Sequence, residues 1–579
     1  MSRSFPAVRA VRSDGAAAVV WASVLAAASL AIAPLTMNMV KADPSFYLSY
    51  VLDYEAIAAR FGQTYHGNRL SYLLIDRAAF AVLGPEAGYF AARWFVLSVA
   101  VLAAIGISRR VLGRAGALSV GAAVALTPWL PRQLLWVHYD GFAATYLLVA
   151  AWLLLGPVEQ RWRRPIAGVV LALAVNANLA VLVLVAGAVL GWILAVDLPF
   201  RERVRGVVGV AVGFIAAELA LSLVLRIFVG GGPWFIETVA IRVALFLSGE
   251  ENSSWFEPLS VVLRASPQLL LVPVVVAVGM MARPKAGTSR AERSDAGARI
   301  DVGVFGSTWL LASGLAVLGL HFGIESSWLA NSFYVVQLLP PLLVGLVGAA
   351  SRAADPALRP HAGWPELVVP LLVAVVLGLL WSRAALVPFA LGLAFLALVV
   401  LLVLVRRSAA APGVVGGGLV AVVLAATFGA PLQAVSAGGW ADVEERERYE
   451  WTVFHHLRDV QALVEREVPS DRDLVFWHRT EPPEGEWLRW INMAYYGTGG
   501  GRLHIDKGDR IGMPELAEWQ VDGLLARAPV TVVLLGLERA EVTAGYVELL
   551  TRIPDARQTG MTVFDGDVFD VHVALVEVG

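Results

Sequence analysis

The chain has 579 residues, of which 58% are hydrophobic and only 16% charged, with a net charge of −2. A soluble domain carries about a quarter charged residues, so this apolar excess faces something other than water, and the near-neutral balance excludes nucleic acid as a main partner. The absence of cysteine excludes disulfides and thiolate metal centres.

Long apolar runs separated by short charged clumps read as bilayer spans, about thirteen in all. The first, Ala16 to Val40, follows Arg3, Arg9 and Arg12. At about 25 residues it exceeds a signal-peptide core of roughly 7–15. It reads as an uncleaved first span with the N-terminus cytoplasmic.

The stretch 41–87 is then external. It carries two helical patterns, 44–60 with Phe46, Tyr50 and Ile57, and 69–83 with Leu70, Leu73, Leu74 and Phe80. Both resemble amphipathic helices on the membrane surface.

Further runs lie near 88–108, 115–135, 141–157, 166–196, 206–228, 258–281, 301–320, 334–350, 365–381, 384–405 and 413–437. As one helix, 166–196 would be about 46 Å long against a hydrocarbon core of about 30 Å. Asn176 and Asn178 stand at its middle, which suits two short spans turning there. Loop charge arbitrates. With two spans, Arg201, Arg203, Arg205, Arg283, Lys285, Arg352 and Arg406 all fall inside, and only Arg242 and Arg383 of the later loops fall outside. One span would invert that distribution.

The expected fold is therefore mainly α and polytopic over 1–437, in a bacterial plasma membrane. A soluble extracytoplasmic α/β or α+β domain follows over 440–579. In that tail 474–477, 531–535 and 568–578 read as strands, and 441–467, 514–527 and 538–552 as helices.

Chemistry-bearing residues gather on the outer face. Asp43 stands where the first span ends and Asp140 where the third ends. Each also reads as a helix N-cap, Asp43 with Pro44 behind it. Arg60, Arg69, Arg93, Arg132, Arg242 and Arg264 are outer-face cations able to grip a phosphate in bidentate fashion. Each also reads as an interfacial anchor. His66 lies among them. Glu218, deep in its span, is costly there and marks either a functional path or a helix–helix partner.

The layout over 16–345 resembles the GT-C superfamily of polytopic glycosyltransferases, which use polyprenyl-phosphate-linked sugars. The resemblance rests on Ala42-Asp43-Pro44-Ser45-Phe46-Tyr47, on the two surface helices, and on His138-Tyr139-Asp140-Gly141 in the next external loop. The broken span at Asn176 and the stretch Tyr334 to Pro341 are similar as well. Many relatives carry a basic residue before the Tyr of that later stretch, where this chain has Asn331-Ser332-Phe333.

The resemblance implies transfer of a sugar from a polyprenyl-phosphate donor to a glycan, lipid or protein acceptor. It makes Asp43 the candidate base. Asp140 would orient it, bind acceptor, or share a magnesium or manganese ion with it. An envelope-glycan polymerase or ligase would use a similar layout. A multi-span transporter or flippase would instead use Glu218, Asn176 and Asn178 along its path.

Overall fold

The computed structural model describes residues 6–32, 42–52, 54–61, 64, 66–126, 129–135, 139–229, 238–240, 275–276, 300–323, 334–354, 420, 440–469, 472–478, 516 and 518–579. These are mainly helical, with one small sheet. Three helical stretches, 87–114, 200–227 and 302–319, are long and apolar enough to cross a membrane, and five shorter apolar helices accompany them. The described residues thus do not reach the expected thirteen spans. The runs near 258–281, 365–381, 384–405 and 413–437 lie outside them, save 275, 276 and 420.

The first helix, α1 (Pro6–Ile32), packs on α5 (Pro85–Leu126). The Ser29 hydroxyl donates to the Ala125 carbonyl at 2.5 Å and the Trp94 indole to the Ser23 carbonyl at 3.0 Å. Between them come α2 (Ala42–Leu52), α3 (Tyr54–Phe61) and α4 (Leu70–Leu83). The helix expected over 44–60 is thus two helices, one ending at Leu52 and the next beginning at Tyr54. The α4 helix buries Leu70, Tyr72, Leu73, Asp76 and Phe80, so it is packed within the body rather than laid upon it.

The spans expected at 88–108 and 115–135 belong to α5, which breaks where Gly113 adopts φ 68°. That is a conformation open to glycine and strained for L side chains. The second piece ends at Leu126, and α6 (Trp129–Leu135) follows.

Next come α7 (Asp140–Leu154), α8 (Arg163–Ala177), a 3-10 turn (Leu179–Val181), α9 (Leu182–Ala195) and α10 (Phe200–Val229). The long run does reverse at its asparagines. The Arg164 guanidinium lies 5.4 Å from the Trp192 ring centre, whereas one straight helix would hold those residues about 42 Å apart. Helices α8 and α10 pack closely, and a Cβ on Gly213 would collide with the Pro165 carbonyl. This is the small-residue contact that lets membrane helices approach. The outward side of α10 carries Val208, Val212, Ile215, Leu219 and Leu223, a stripe suited to hydrocarbon. Helix α11 (Val302–Gly323) packs on α9 and on α12 (Leu339–Ala354), which follows a 3-10 segment, Tyr334–Leu338.

In the tail, α13 (Trp440–Glu467), β1 (Asp473–His478), α14 (Glu518–Ala526), β2 (Val530–Gly536), α15 (Arg539–Arg552), β3 (Arg557–Phe564) and β4 (Val571–Val578) form an α+β unit. Sheet order is β1-β2-β4-β3, with β1 parallel to β2 and the other pairs antiparallel. Val-Thr-Val-Val-Leu-Leu of β2 is buried throughout, as a central strand covered on both faces requires. Strand β3, absent from the expected set, is largely exposed and shifts register between Gln558 and Gly560.

Candidate functional site

Two asparagines build the site. Helix α4 begins after Arg69, which supplies no side-chain cap. The cap comes from across the body: Asn176 Oδ1 accepts from the Ser71 amide at 2.6 Å while Asn176 Nδ2 donates to the Asn68 carbonyl at 3.0 Å. A helix N-terminus left without partners would be costly in this buried place. The Ser71 hydroxyl donates to the Leu173 carbonyl at 2.8 Å, and the Tyr146 hydroxyl to the Ser71 carbonyl at 2.7 Å. The Asn turn, α4 and α7 are thereby one polar joint.

Asn178 caps the 3-10 turn and reaches α7 through the Asp140 side chain. Its Oδ1 accepts from the Ala180 amide at 2.9 Å, and its Nδ2 donates to Asp140 Oδ1 at 2.9 Å. Gln337, from the 3-10 segment before α12, donates to the same Asp140 oxygen. Asp140 is fully buried at the first residue of α7. Its carboxylate therefore ties three stretches together, and the N-cap expected at Asp140 falls instead on Tyr139, with no side-chain cap. Gln337→Leu should leave that oxygen with one amide donor. We expect it to lower stability by about 1–3 kcal/mol, read as the thermal unfolding midpoint in detergent, with Gln337→Glu worse because two carboxylates would then meet.

Arg69 is 5% exposed. Its guanidinium carbon lies 3.2 Å from the Tyr139 ring centre, and Nη1 donates to the Ala177 carbonyl at 2.7 Å, at the negative end of α8. Tyr47 of α2 completes the enclosure, 5.5 Å from Tyr139, 5.6 Å from Tyr72 and 5.0 Å from His66 between ring centres, all edge-on. The loop holding His66 is braced from α2 and α3. The Tyr54 hydroxyl donates to the Gly67 carbonyl at 3.0 Å, and Tyr50 pairs with the Thr64 hydroxyl at 2.7 Å. Burial pushes the Tyr50 hydroxyl up to about 12, against the lowering effect of its hydrogen bond with Thr64.

The sequence-derived residues thus separate. Asp140, Arg69 and His66 are buried together with Tyr47, Tyr139 and the Asn turn. Asp43 stands in α2 one turn before Tyr47. Arg60 lies in α3 and Arg132 in α6, and the side chains of these three are outside the described set. Arg242 and Arg264 lie outside the described residues altogether.

Arg93 has another occupation. It forms a buried ion pair with Asp76 at 2.6 Å, both side chains no more than 1% exposed, and its Nε donates to the Leu134 carbonyl at 3.1 Å. Neither Glu218 oxygen has a hydrogen-bond partner among the described residues.

The chain is similar to two solved structures of one membrane protein. One is a crystal structure of ArnT from Cupriavidus metallidurans bound to undecaprenyl phosphate, at 15% identity over 97% of each chain and a TM-score of 0.48. The other is the same protein in the apo state, at 15% identity over 98% of each chain and a TM-score of 0.45. No family model matches the chain, and no curated protein does.

Two buried polar residues that tie the helices together escaped the sequence reading. Gln337 gives no local signal, since it meets Asp140 across 197 positions of chain. Asp76 does give one. It falls with Leu73 and Phe80 on the apolar face of α4, and an acid on a buried helix face calls for a cationic partner.

Proposed function

We propose that this chain is a membrane glycosyltransferase that moves a sugar from a polyprenyl-phosphate donor to a glycan, lipid or protein acceptor of the bacterial envelope. The observation that carries the proposal is the gathering of Asp140, Arg69, His66 and Tyr47 at one end of the helical body. They come from three separate stretches of chain, one of them the helix that bears Asp43.

The chemistry assigned to these residues is a single displacement. Asp43 takes the proton from the acceptor hydroxyl, whose oxygen bonds to the anomeric carbon as the bond from that carbon to the phosphate oxygen breaks. The configuration inverts, and polyprenyl phosphate leaves with the bonding electron pair. Arg69 supplies positive charge for the departing phosphate from a position fixed by Tyr139 and Ala177, so no reorganisation is needed as charge develops. Asp140, held by two amides, orients the acceptor side of the site.

We infer that transfer does without a magnesium or manganese ion shared between Asp43 and Asp140. The Asp140 Oδ1 faces two N–H groups, and no group of three or more His, Asp or Glu is gathered among the described residues. Transfer is expected to persist in EDTA. Loss restored by magnesium or manganese would put a cation between the two acids.

Mass spectrometry of lipid-linked sugars and envelope glycans in a deletion strain tests the whole reading. An accumulated polyprenyl-phosphate sugar, with one glycan lacking that sugar, is the expected result. Unchanged lipid-linked sugars with a defect only in Glu218 variants would move the assignment to a transporter.

A further inference from the structure

At the end of α7 opposite Asp140, a second cluster has no part in the transfer site. Arg110 of α5 and Arg163 of α8 converge on one acceptor, the Trp152 carbonyl. Arg110 Nη2 donates to it at 3.4 Å and Arg163 Nη2 at 3.2 Å. The two donor nitrogens are therefore no farther apart than the sum of those distances. No carboxylate lies within 4 Å of either guanidinium among the described residues.

Arg163 is 7% exposed and its buried Nε has no hydrogen-bond partner among the described residues. Its head stacks 4.8 Å from the Trp152 ring centre, and a Cβ on Gly156 would run into it. The arginine thus lies in a fitted slot rather than extending at will. It also opens α8, where no acidic residue occupies the first turn and no side chain caps the end. A cation there opposes the helix dipole.

Two like charges at a membrane boundary, one of them buried, with the positive end of a helix beside them, form a place that lacks an anion. We propose that this place binds the phosphodiester headgroup of an anionic phospholipid. Arg110, which is exposed, grips the phosphate, and Arg163 is the fixed charge behind it. The acyl chains follow from the surroundings. Trp162 is 55% exposed and Ile166 is 43% exposed beside the cluster, an apolar edge that a free phosphate would not use and a lipid would. The charge bias of the loops puts this face in the cytoplasmic leaflet.

The test uses the full chain in a neutral detergent. Native mass spectrometry reads retained lipid, and the thermal unfolding midpoint is followed with added dioleoyl phosphatidylglycerol or dioleoyl phosphatidylcholine. We expect retention and stabilisation by phosphatidylglycerol only. Arg110→Gln should weaken apparent phosphatidylglycerol affinity about fivefold, while Arg205→Gln, which removes an exposed arginine paired with Glu202 on the same face, should leave it unchanged. Arg163→Gln is a second arm and should also lose the lipid. If it fails to fold, the exposed Arg110 still decides. Equal response to the two lipids would overturn the proposal, as would an Arg110→Gln effect no larger than that of Arg205→Gln. Displacement of the lipid by millimolar inorganic phosphate would also overturn it, by assigning the cluster to a free anion.

Discussion

Asp43→Asn is expected to lower sugar transfer by about 10²–10⁴-fold while leaving the protein folded. The position itself makes this substitution discriminating. The α2 helix begins at Ala42, so Asp43 stands in its first turn within the usual uncertainty of helix ends. A capping role is available to it, and asparagine caps about as well as aspartate. If capping were the whole role, Asp43→Asn would fold and act normally. A base needs an oxygen that accepts a proton, and an amide oxygen does not serve. Folding is read as the thermal unfolding midpoint in detergent, and transfer as consumption of a lipid-linked sugar with purified protein. Near-normal transfer by a stable Asp43→Asn protein would remove Asp43 from the mechanism and leave it a cap.

The residues that announced themselves in the sequence did so through cost. Asn176 and Asn178 interrupt an apolar run too long for one span, and the interruption is a real reversal, with Arg164 brought against Trp192. The tail helices and three of its four strands follow their period, because β2 is buried on both faces and reads as a continuous apolar run. Strand β3 does not. Arg557-Gln558-Thr559-Gly560 is exposed and carries a register shift, so no alternation marks it. The break of α5 at Gly113 was legible only as a gap between two runs. Its place in the chain was clear, but the shortness of the second piece was not.

The polar joints were the least legible part. Ser71 to Asn176 and Asp140 to Gln337 pair residues 105 and 197 positions apart. Each partner alone looks like an ordinary turn or cap residue. Hydrogen bonding across such separations is fixed by packing, which hydrophobic period describes only in outline.

Arg93→Leu should be the most destabilising single change within the described body, because it strips a buried carboxylate of its cation. Removing one partner of a buried pair typically costs about 3–5 kcal/mol, and Asp76, 1% exposed, has little water to turn to. The pair also joins α4 to α5 and, through the Leu134 carbonyl, to α6. Its loss should therefore loosen the loop that carries His66 and Arg69. The double variant Asp76→Leu/Arg93→Leu should recover most of the stability, since an apolar pair of similar volume leaves no charge unpaired. Transfer by the double variant then separates two roles for Arg93. If the guanidinium only neutralises Asp76, transfer recovers with the thermal unfolding midpoint. If it grips the donor phosphate, as its outer-face position first suggested, stability returns and transfer does not.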